Sequence, residues 1–499
     1  MFIILAVVSI LILLYYFDRK QFTYWKDQGI PQLSSQVLLI GDIKDLVLQR
    51  KPIAKFYGDS CAPFHSSPIV GIYFSYRPLI IINDIELAKT ILTTDFHHFH
   101  DRGIFIDPSI DPLTENLFCL HGDKWKRLRQ KLTPVFSTSK LKLMLPIIQD
   151  SVDILDNYIS NHLELNDHFT VDIRDLSSNF TFTMISSVGF GTQNDCINEP
   201  NNLFRVTSLK VLEQNFVNNF RLLTAVFMPK ICKTFRICMF DKEVSNFFLD
   251  ITKKTILYRE ENNTHRNDFL QLLIQLKNEG LRKANGNESS DTDNFTLNEV
   301  VANSFLFVIA GFETTSATIA YCLYELAKNS AIKQRVQVEV DDLDKEEFGY
   351  EKINKLKYLE NCINETLRKY PVIPILNREC LNDYRVPNTN QIIPKGTPII
   401  VPVYTIQRDP KLFENPMEFN PDRFDNKSDS LLWSFGHGNR SCIGNRMAMI
   451  VIKTCLCTLL SKYEIQLVSP INEIEFTPKI PTLSPTEKIM IRFMRRYRH

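Results

Sequence analysis

The sequence predicts a mainly α-helical body with a small β-rich subregion, preceded by one N-terminal transmembrane helix. Three observations support that class. Residues 2–17, FIILAVVSILILLYYF, form an uncharged apolar run. From about residue 84 to 380, apolar side chains recur mainly at helical spacing. Residues 66–83, which include IVGIYFSYRPLIII, and the proline-rich stretch QIIPKGTPIIVPVY are instead rich in β-branched residues and read as short strands.

The N-terminal run has sixteen residues, which as a helix span roughly 24 Å against a hydrocarbon core of about 30 Å. Twelve of them are Phe, Ile, Leu or Val, each contributing roughly −0.3 to −0.6 kcal/mol at mid-membrane. Tyr15 and Tyr16 suit the interface, and Arg19 and Lys20 can snorkel. A cleaved secretory signal would want a basic segment before the run and a small-residue cleavage site after it, and the sequence has neither. Residues 1–17 therefore read as a retained membrane anchor, and the basic pair after them places the remaining chain in the cytosol.

Residues 18–35 read as a polar linker whose Gly29, Ile30 and Pro31 restrict the chain as it enters the body, residues 36–499. Residues 279–294, EGLRKANGNESSDTDN, are polar and read as disordered. Short strands and loops occupy 381–430, one long helix follows Cys442, and the C-terminal tail is strand-like. The chain is 44% hydrophobic and 23% charged with a formal net charge of +1. That balance gives no basic excess for nucleic acid. Eleven cysteines without a CxxC pair read as reduced thiols rather than a disulfide framework.

The chemistry concentrates in SFGHGNRSCIGNR, Ser434 to Arg446. Cys442 lies just before an apolar helical run, where amide dipoles stabilise a thiolate. Gly436, Gly438 and Gly444 leave room for tight bending or close approach. Backbone N–H groups can then reach the sulfur, and Arg440 puts a cation beside it. A soft anionic sulfur with an arginine for a carboxylate suits an iron porphyrin. A buried structural cysteine in a glycine-rich turn is the alternative.

FGHGNRSCIG (Phe435 to Gly444) resembles the haem-binding loop of the cytochrome P450 superfamily, FxxGxRxCxG, at every fixed position. The resemblance implies the cytochrome P450 fold as one mainly helical domain, with haem b held by the axial thiolate of Cys442. It implies that Arg440 pairs with a propionate, that Phe435 shields the sulfur and that Gly436 lies in the cofactor loop. His437 falls at a variable position.

Three further stretches extend the likeness. In NSFLFVIAGFETTSATIAYCLYELAKN, a long apolar helix is interrupted by Gly311, Glu313, Thr314 and Thr315. A glycine and a carboxylate are costly in a core helix, and a threonine hydroxyl bonding a preceding carbonyl can open a polar notch. A solvated glutamate face is the plainer reading. AGFETT resembles the superfamily's oxygen groove, which implies that Ala310 lies over the haem, that Thr314 organises a proton-relay water and that Glu313 feeds it. NETLRKYP places Glu365 and Arg368 on one helix face; alone this is a surface ion pair. It matches the family's ExxR, with Arg423 of FNPDRF as the implied third, structural member. HGDKWKRLRQKLTP puts Trp125 and Arg129 on one face and matches WxxxR. Trp125, Arg129, Arg378 and Arg102 are thereby implied near the propionates. Lys126, Arg127 and Lys131 read as solvated surface or as a docking face for an acidic electron donor. The histidines of FHHFHD, His97, His98 and His100, suit a surface loop better than a tetrahedral metal site.

The motifs cover essentially the whole chain in family order. They imply a microsomal monooxygenase, resembling the arthropod detoxification and vertebrate drug-metabolising group, on the cytosolic face of the endoplasmic reticulum membrane. The implied partners are O2, a lipophilic xenobiotic, steroid or fatty-acid-like substrate, and NADPH acting through NADPH-cytochrome P450 reductase, with cytochrome b5 as a second candidate donor. The chain has no flavin or nicotinamide motif of its own. Phe105, Phe118, Phe307, Ile373 and Ile375 are expected to line the pocket. A reductase-independent isomerase or dehydratase acting on peroxides, and a non-catalytic haem protein, are the other two readings; neither needs the Glu313–Thr314 pair.

Overall fold

The computed structural model describes residues 19–497 apart from 35, 214–215, 286–294, 344–348, 426–430, 470–472 and 480. The expected anchor at 1–17 lies outside the described residues. Residues 19–34 are no loose tether: Trp25 is fully buried, and its indole N–H donates to the Ile72 carbonyl at 3.2 Å.

The apolar stretch 69–82 forms a hairpin of β1 (Ile69–Phe74) and β2 (Arg77–Ile82). Helix α1 (Ile85–Leu92) follows, its first turn capped by the Asp84 side chain accepting from the Leu87 amide. A long loop then leads to α2 (Gly122–Leu132) and α3 (Thr138–Leu165). Strand β3 (Phe169–Asp172) enters α4 (Ile173–Phe190). Helices α5 (Phe216–Phe227), α6 (Pro229–Phe235), α7 (Lys242–Glu261) and α8 (Phe269–Asn285) come next. The central helix is α9 (Leu297–Lys328), started by a capping box of Thr296 and Glu299. The C-terminal part holds α10 (Lys357–Lys369), β4 (Leu376–Glu379), β5 (Pro398–Val401), α11 (Asn445–Lys462), β6 (Tyr463–Leu467) and β7 (Met490–Arg495).

The body is helix-dominated with small sheets. One sheet has the order β1-β2-β5-β4, with β2 parallel to β5 (Ile80 opposite Ile399) and the other pairs antiparallel. The two strand-like regions read separately in the sequence are therefore one sheet. The tail strand β7 pairs with both β3 and β6. The polar stretch expected to be disordered is helical through Asn285, because α8 continues into it; its remainder from 286 lies outside the described residues.

Helix α9 is long and apolar enough to cross a membrane by composition, yet most of it is buried inside the protein. It packs along α4, where Phe312 stacks on Phe182 at 4.2 Å between ring centroids. Gly311 makes that approach possible: a Cβ there would stand 2.3 Å from Ile185 Cδ1. The glycine that interrupts the apolar helix in the sequence thus serves the α4 contact. Gly311→Val should lower stability by about 1–3 kcal/mol through overpacking. Thermal unfolding checks this, and Ile185→Ala in the same chain should recover part of the loss.

Candidate active site

Cys442 sits two residues before Gly444, the N-cap of α11. Its amide donates to the Phe435 carbonyl at 2.7 Å, closing the loop on itself. Gly436 and Gly438 have φ of +76° and +72°, left-handed positions that favour glycine. A Cβ on Gly438 would lie 1.9 Å from the Leu92 carbonyl oxygen of α1, so the loop runs against backbone there. Gly444 has an ordinary φ of −94° and contributes its amide instead, which donates to the Cys442 sulfur.

Cys442 is the one exposed cysteine among eleven free thiols. Burial nevertheless pushes its thiol above the ordinary range, against the lowering effects of the Gly444 amide, Arg129 and Arg102. Desolvation works against the thiolate that the sequence expects from helix dipoles, backbone N–H groups and Arg440. A bound metal ion reverses that balance.

The expected arginines converge behind this loop. Arg440 donates through Nε to the His100 carbonyl at 2.7 Å and through Nη2 to the Leu120 carbonyl at 2.8 Å, and its guanidinium lies 4.1 Å over the Trp125 ring. Arg102 donates to the Phe118 carbonyl at 2.9 Å, Arg378 to the Asn377 carbonyl at 2.7 Å, and Arg129 to the Ser441 carbonyl at 2.9 Å. Desolvation, reinforced by mutual repulsion, pulls Arg440 down to about 8, Arg378 to about 9 and Arg102 to about 10. Asp101 approaches Arg440 at only 3.4 Å. Arg440 Nη1, Arg378 Nε and His121 Nε2 are buried with no partner. Unpaired donors and crowded cations of this kind fit the carboxylates of a dianionic group. With the accessible sulfur beside them, the residues present fit an iron porphyrin bearing two propionates.

Glu365 and Arg368 are fully buried rather than a surface pair, and make two bonds of 2.7 and 2.9 Å. Arg423 reaches Glu365 at 3.0 Å, completing the expected trio. Gln407, which the sequence did not single out, joins this unit to the cysteine segment. It donates to the Leu367 and Arg368 carbonyls and accepts the Trp433 amide at 2.6 Å. A lone glutamine in a loop carries no sequence signal for such a role.

On α9, Ala310 is exposed and Thr314 half-buried in the middle of a core helix. The Thr314 hydroxyl donates to the Ala310 carbonyl at 2.6 Å, as anticipated. Glu313, however, faces α4: it pairs with Arg174 at 2.9 Å and accepts from the Thr482 hydroxyl at 3.3 Å. Neither partner was legible, since both lie more than a hundred residues away in sequence.

Among the expected pocket residues, Phe118 is 42% exposed and Ile373 41%, while Phe105 and Ile375 are half-buried. Arg102 covers the Phe118 ring at 4.1 Å. Phe307 differs: it stacks on Phe269 of α8 at 4.3 Å and lies against Gly189, so it belongs to helix packing. Lys126 is exposed, but Arg127 is held by buried Glu299 and is no docking cation. His97 is exposed and His98 and His100 are half-buried rather than a plain surface loop; no metal-binding cluster occurs among the described residues. His437 stacks on Trp433 at 5.0 Å.

A mainly helical body with small sheets, built around an accessible cysteine and a socket of crowded guanidiniums with unmet N–H donors, defines a haem-thiolate class of protein. The family model for Cytochrome P450 matches residues 31–493. The chain is 35% identical to probable cytochrome P450 6d2 of Drosophila melanogaster, over 99% of this chain and 100% of that one. It is 35% identical to cytochrome P450 6d3 of Musca domestica, over 99% of each, and 34% identical to cytochrome P450 6a2 of Drosophila melanogaster, over 99% of each. The chain belongs to the cytochrome P450 family and is a haem-dependent monooxygenase with a cysteine thiolate ligand.

Two outcomes follow from the packing of the loop and its support. Gly438→Ala should abolish stable haem incorporation, because backbone at Leu92 cannot yield to the new carbon; haem content after purification measures it. Glu365→Gln should cost about 3–5 kcal/mol, the penalty for leaving buried arginines unpaired, and denaturant titration checks it.

Proposed function

We propose that Cys442 is the axial ligand and that the protein inserts one oxygen atom from O2 into a lipophilic substrate of xenobiotic, steroid or fatty-acid type. The single observation that carries this reading is the accessible sulfur set beside crowded arginines that keep buried N–H donors unmet. Arg440, Arg378, Arg102 and Arg129, with Trp125, would hold the two propionates. Bound there, haem supplies the activation of dioxygen. Gly444 donates its amide to the sulfur and moderates its charge, while Phe435 covers it from solvent.

The interior surfaces at Cys442, Ala310 and Thr314 border one cavity in this reading. Ala310, exposed on that face, would leave room beside the haem. Thr314, donating to a helix carbonyl, keeps its oxygen lone pairs free to accept from a water and so holds that water for proton delivery. Glu313 is the proton source from a restrained position, since its side chain must leave Arg174 and take up a proton from water before it can donate toward Thr314. Phe105, Phe118, Ile373 and Ile375 form an apolar wall that excludes water and orients a lipophile.

Electrons come from NADPH through NADPH-cytochrome P450 reductase, with cytochrome b5 as a second donor, because the sequence offers no flavin or nicotinamide motif. Residues 1–17 anchor the protein in the endoplasmic reticulum membrane with residues 36–499 as a cytosolic catalytic domain, supported by the apolar run and the basic pair that follows it. Cys442→Ala should eliminate the red-shifted carbonyl band of a sulfur-ligated ferrous complex in reduced, carbon monoxide-treated protein; a retained band would overturn the ligand assignment. With reductase, NADPH and a panel of lipophiles, Thr314→Ala should keep its haem, lose product formation by roughly 10²-fold and release peroxide instead. Unchanged coupling would remove Thr314 from the relay.

A further inference from the structure

The loop between α1 and α2 carries Phe105 and Phe118 and is tied down on two sides. Toward the core, Asn303 of α9 accepts the Leu117 amide at 3.0 Å. Toward the outside, Asp111, only 3% exposed, accepts the amides of Met239 at 2.8 Å and Phe240 at 3.0 Å through Oδ2. Those two residues lie in the link between α6 and α7. The neighbouring Cys238 thiol donates to the Ile110 carbonyl at 3.3 Å, and the Phe105 amide donates to the Ala225 carbonyl of α5 at 2.8 Å.

A carboxylate receiving two backbone amides from a segment 128 residues away is a strong, charge-assisted joint. The Cys238–Ile110 and Phe105–Ala225 bonds flank it. A cavity of about 190 Å³ opens alongside, lined in part by Asp111, Pro112, Cys238 and Phe240, and Asp111 Oδ1 has no hydrogen-bond partner. On the far side Phe240 rests edge-on against Phe305 of α9 at 4.8 Å, so the α6–α7 link is itself seated on the central helix. Opening the loop away from α5 and the link therefore requires giving up the two Asp111 bonds together with the Phe105–Ala225 and Cys238–Ile110 bonds, whereas the Asn303 bond can remain.

We propose that Asp111 is a positioning residue that clasps the Phe105–Phe118 loop to the α6–α7 link and so sets the rate at which a lipophilic molecule enters and leaves the pocket. The location of that pocket rests on the function proposed above; the clasp itself does not.

The test uses the full, haem-loaded chain with Asp111→Ala and Asp111→Asn. Amide hydrogen exchange is followed at 99–112 and 236–241, and release of the bulky azole clotrimazole is followed by the haem absorption change after dilution. In Asp111→Ala both segments should exchange faster together, and release should quicken by about tenfold, as the loss of a charge-assisted pair of bonds implies. Asp111→Asn, which keeps an acceptor oxygen without the charge, should fall between, and it alone is read if the alanine variant loses haem. An unchanged release rate in a haem-retaining variant, or faster exchange confined to 236–241, overturns the clasp. If wild-type protein shows no sulfur-ligated carbonyl band, the proposed function fails, and the coupled or uncoupled exchange of the two segments still decides the clasp.

Discussion

Four guanidinium groups from four separate parts of the chain crowd the space behind the cysteine loop. Arg102 comes from the loop after α1, Arg129 from α2, Arg378 from β4 and Arg440 from the cysteine loop itself. Bringing them together is unfavourable on two counts, since each loses water and each repels the others. Backbone carbonyls satisfy many of their donors, and Asp101, 3.4 Å from Arg440, supplies a single countercharge. Four crowded cations leave positive charge that an anionic group would offset.

Holding such a socket open demands rigid support, and the Glu365–Arg368–Arg423 unit supplies it. One carboxylate satisfies two guanidiniums and the Asn420 amide at 3.0 Å. Arg368 in turn reaches the carbonyls of Gln407 and Pro416, so the irregular segment before the cysteine loop is pinned to α10 by charge-assisted bonds in a dry interior. Gln407 and Ser434, which donates to the Leu367 carbonyl at 2.6 Å, carry that fixation into the loop. An irregular backbone buried this deeply would otherwise leave its polar groups unmet.

The central helix shows how one motif serves two surfaces. Ala310 and Thr314, four residues apart, share the open face. Gly311 and Glu313 point elsewhere, the first letting Ile185 of α4 approach and the second meeting Arg174 and Thr482. The acid and the hydroxyl are adjacent in sequence but directed to different environments by the turn of the helix.

Much of this protein was written in local order. Helical spacing over the middle of the chain, the β-branched runs and the glycine–arginine–cysteine pattern each depend on neighbours in sequence, and those elements formed as expected. So did the pairing of Glu365 with Arg368, because three residues along a helix bring side chains together whatever surrounds them. Local order could not say that this pair is buried, that Phe307 turns to Phe269, that Arg127 is taken by Glu299, or that Glu313 meets a partner from α4. Nor could it reveal Gln407, Asp111 or the union of residues 69–82 with 376–401 in one sheet. Each of those is decided by which distant surfaces meet when the core closes, and contacts between remote segments leave no periodicity in either segment alone.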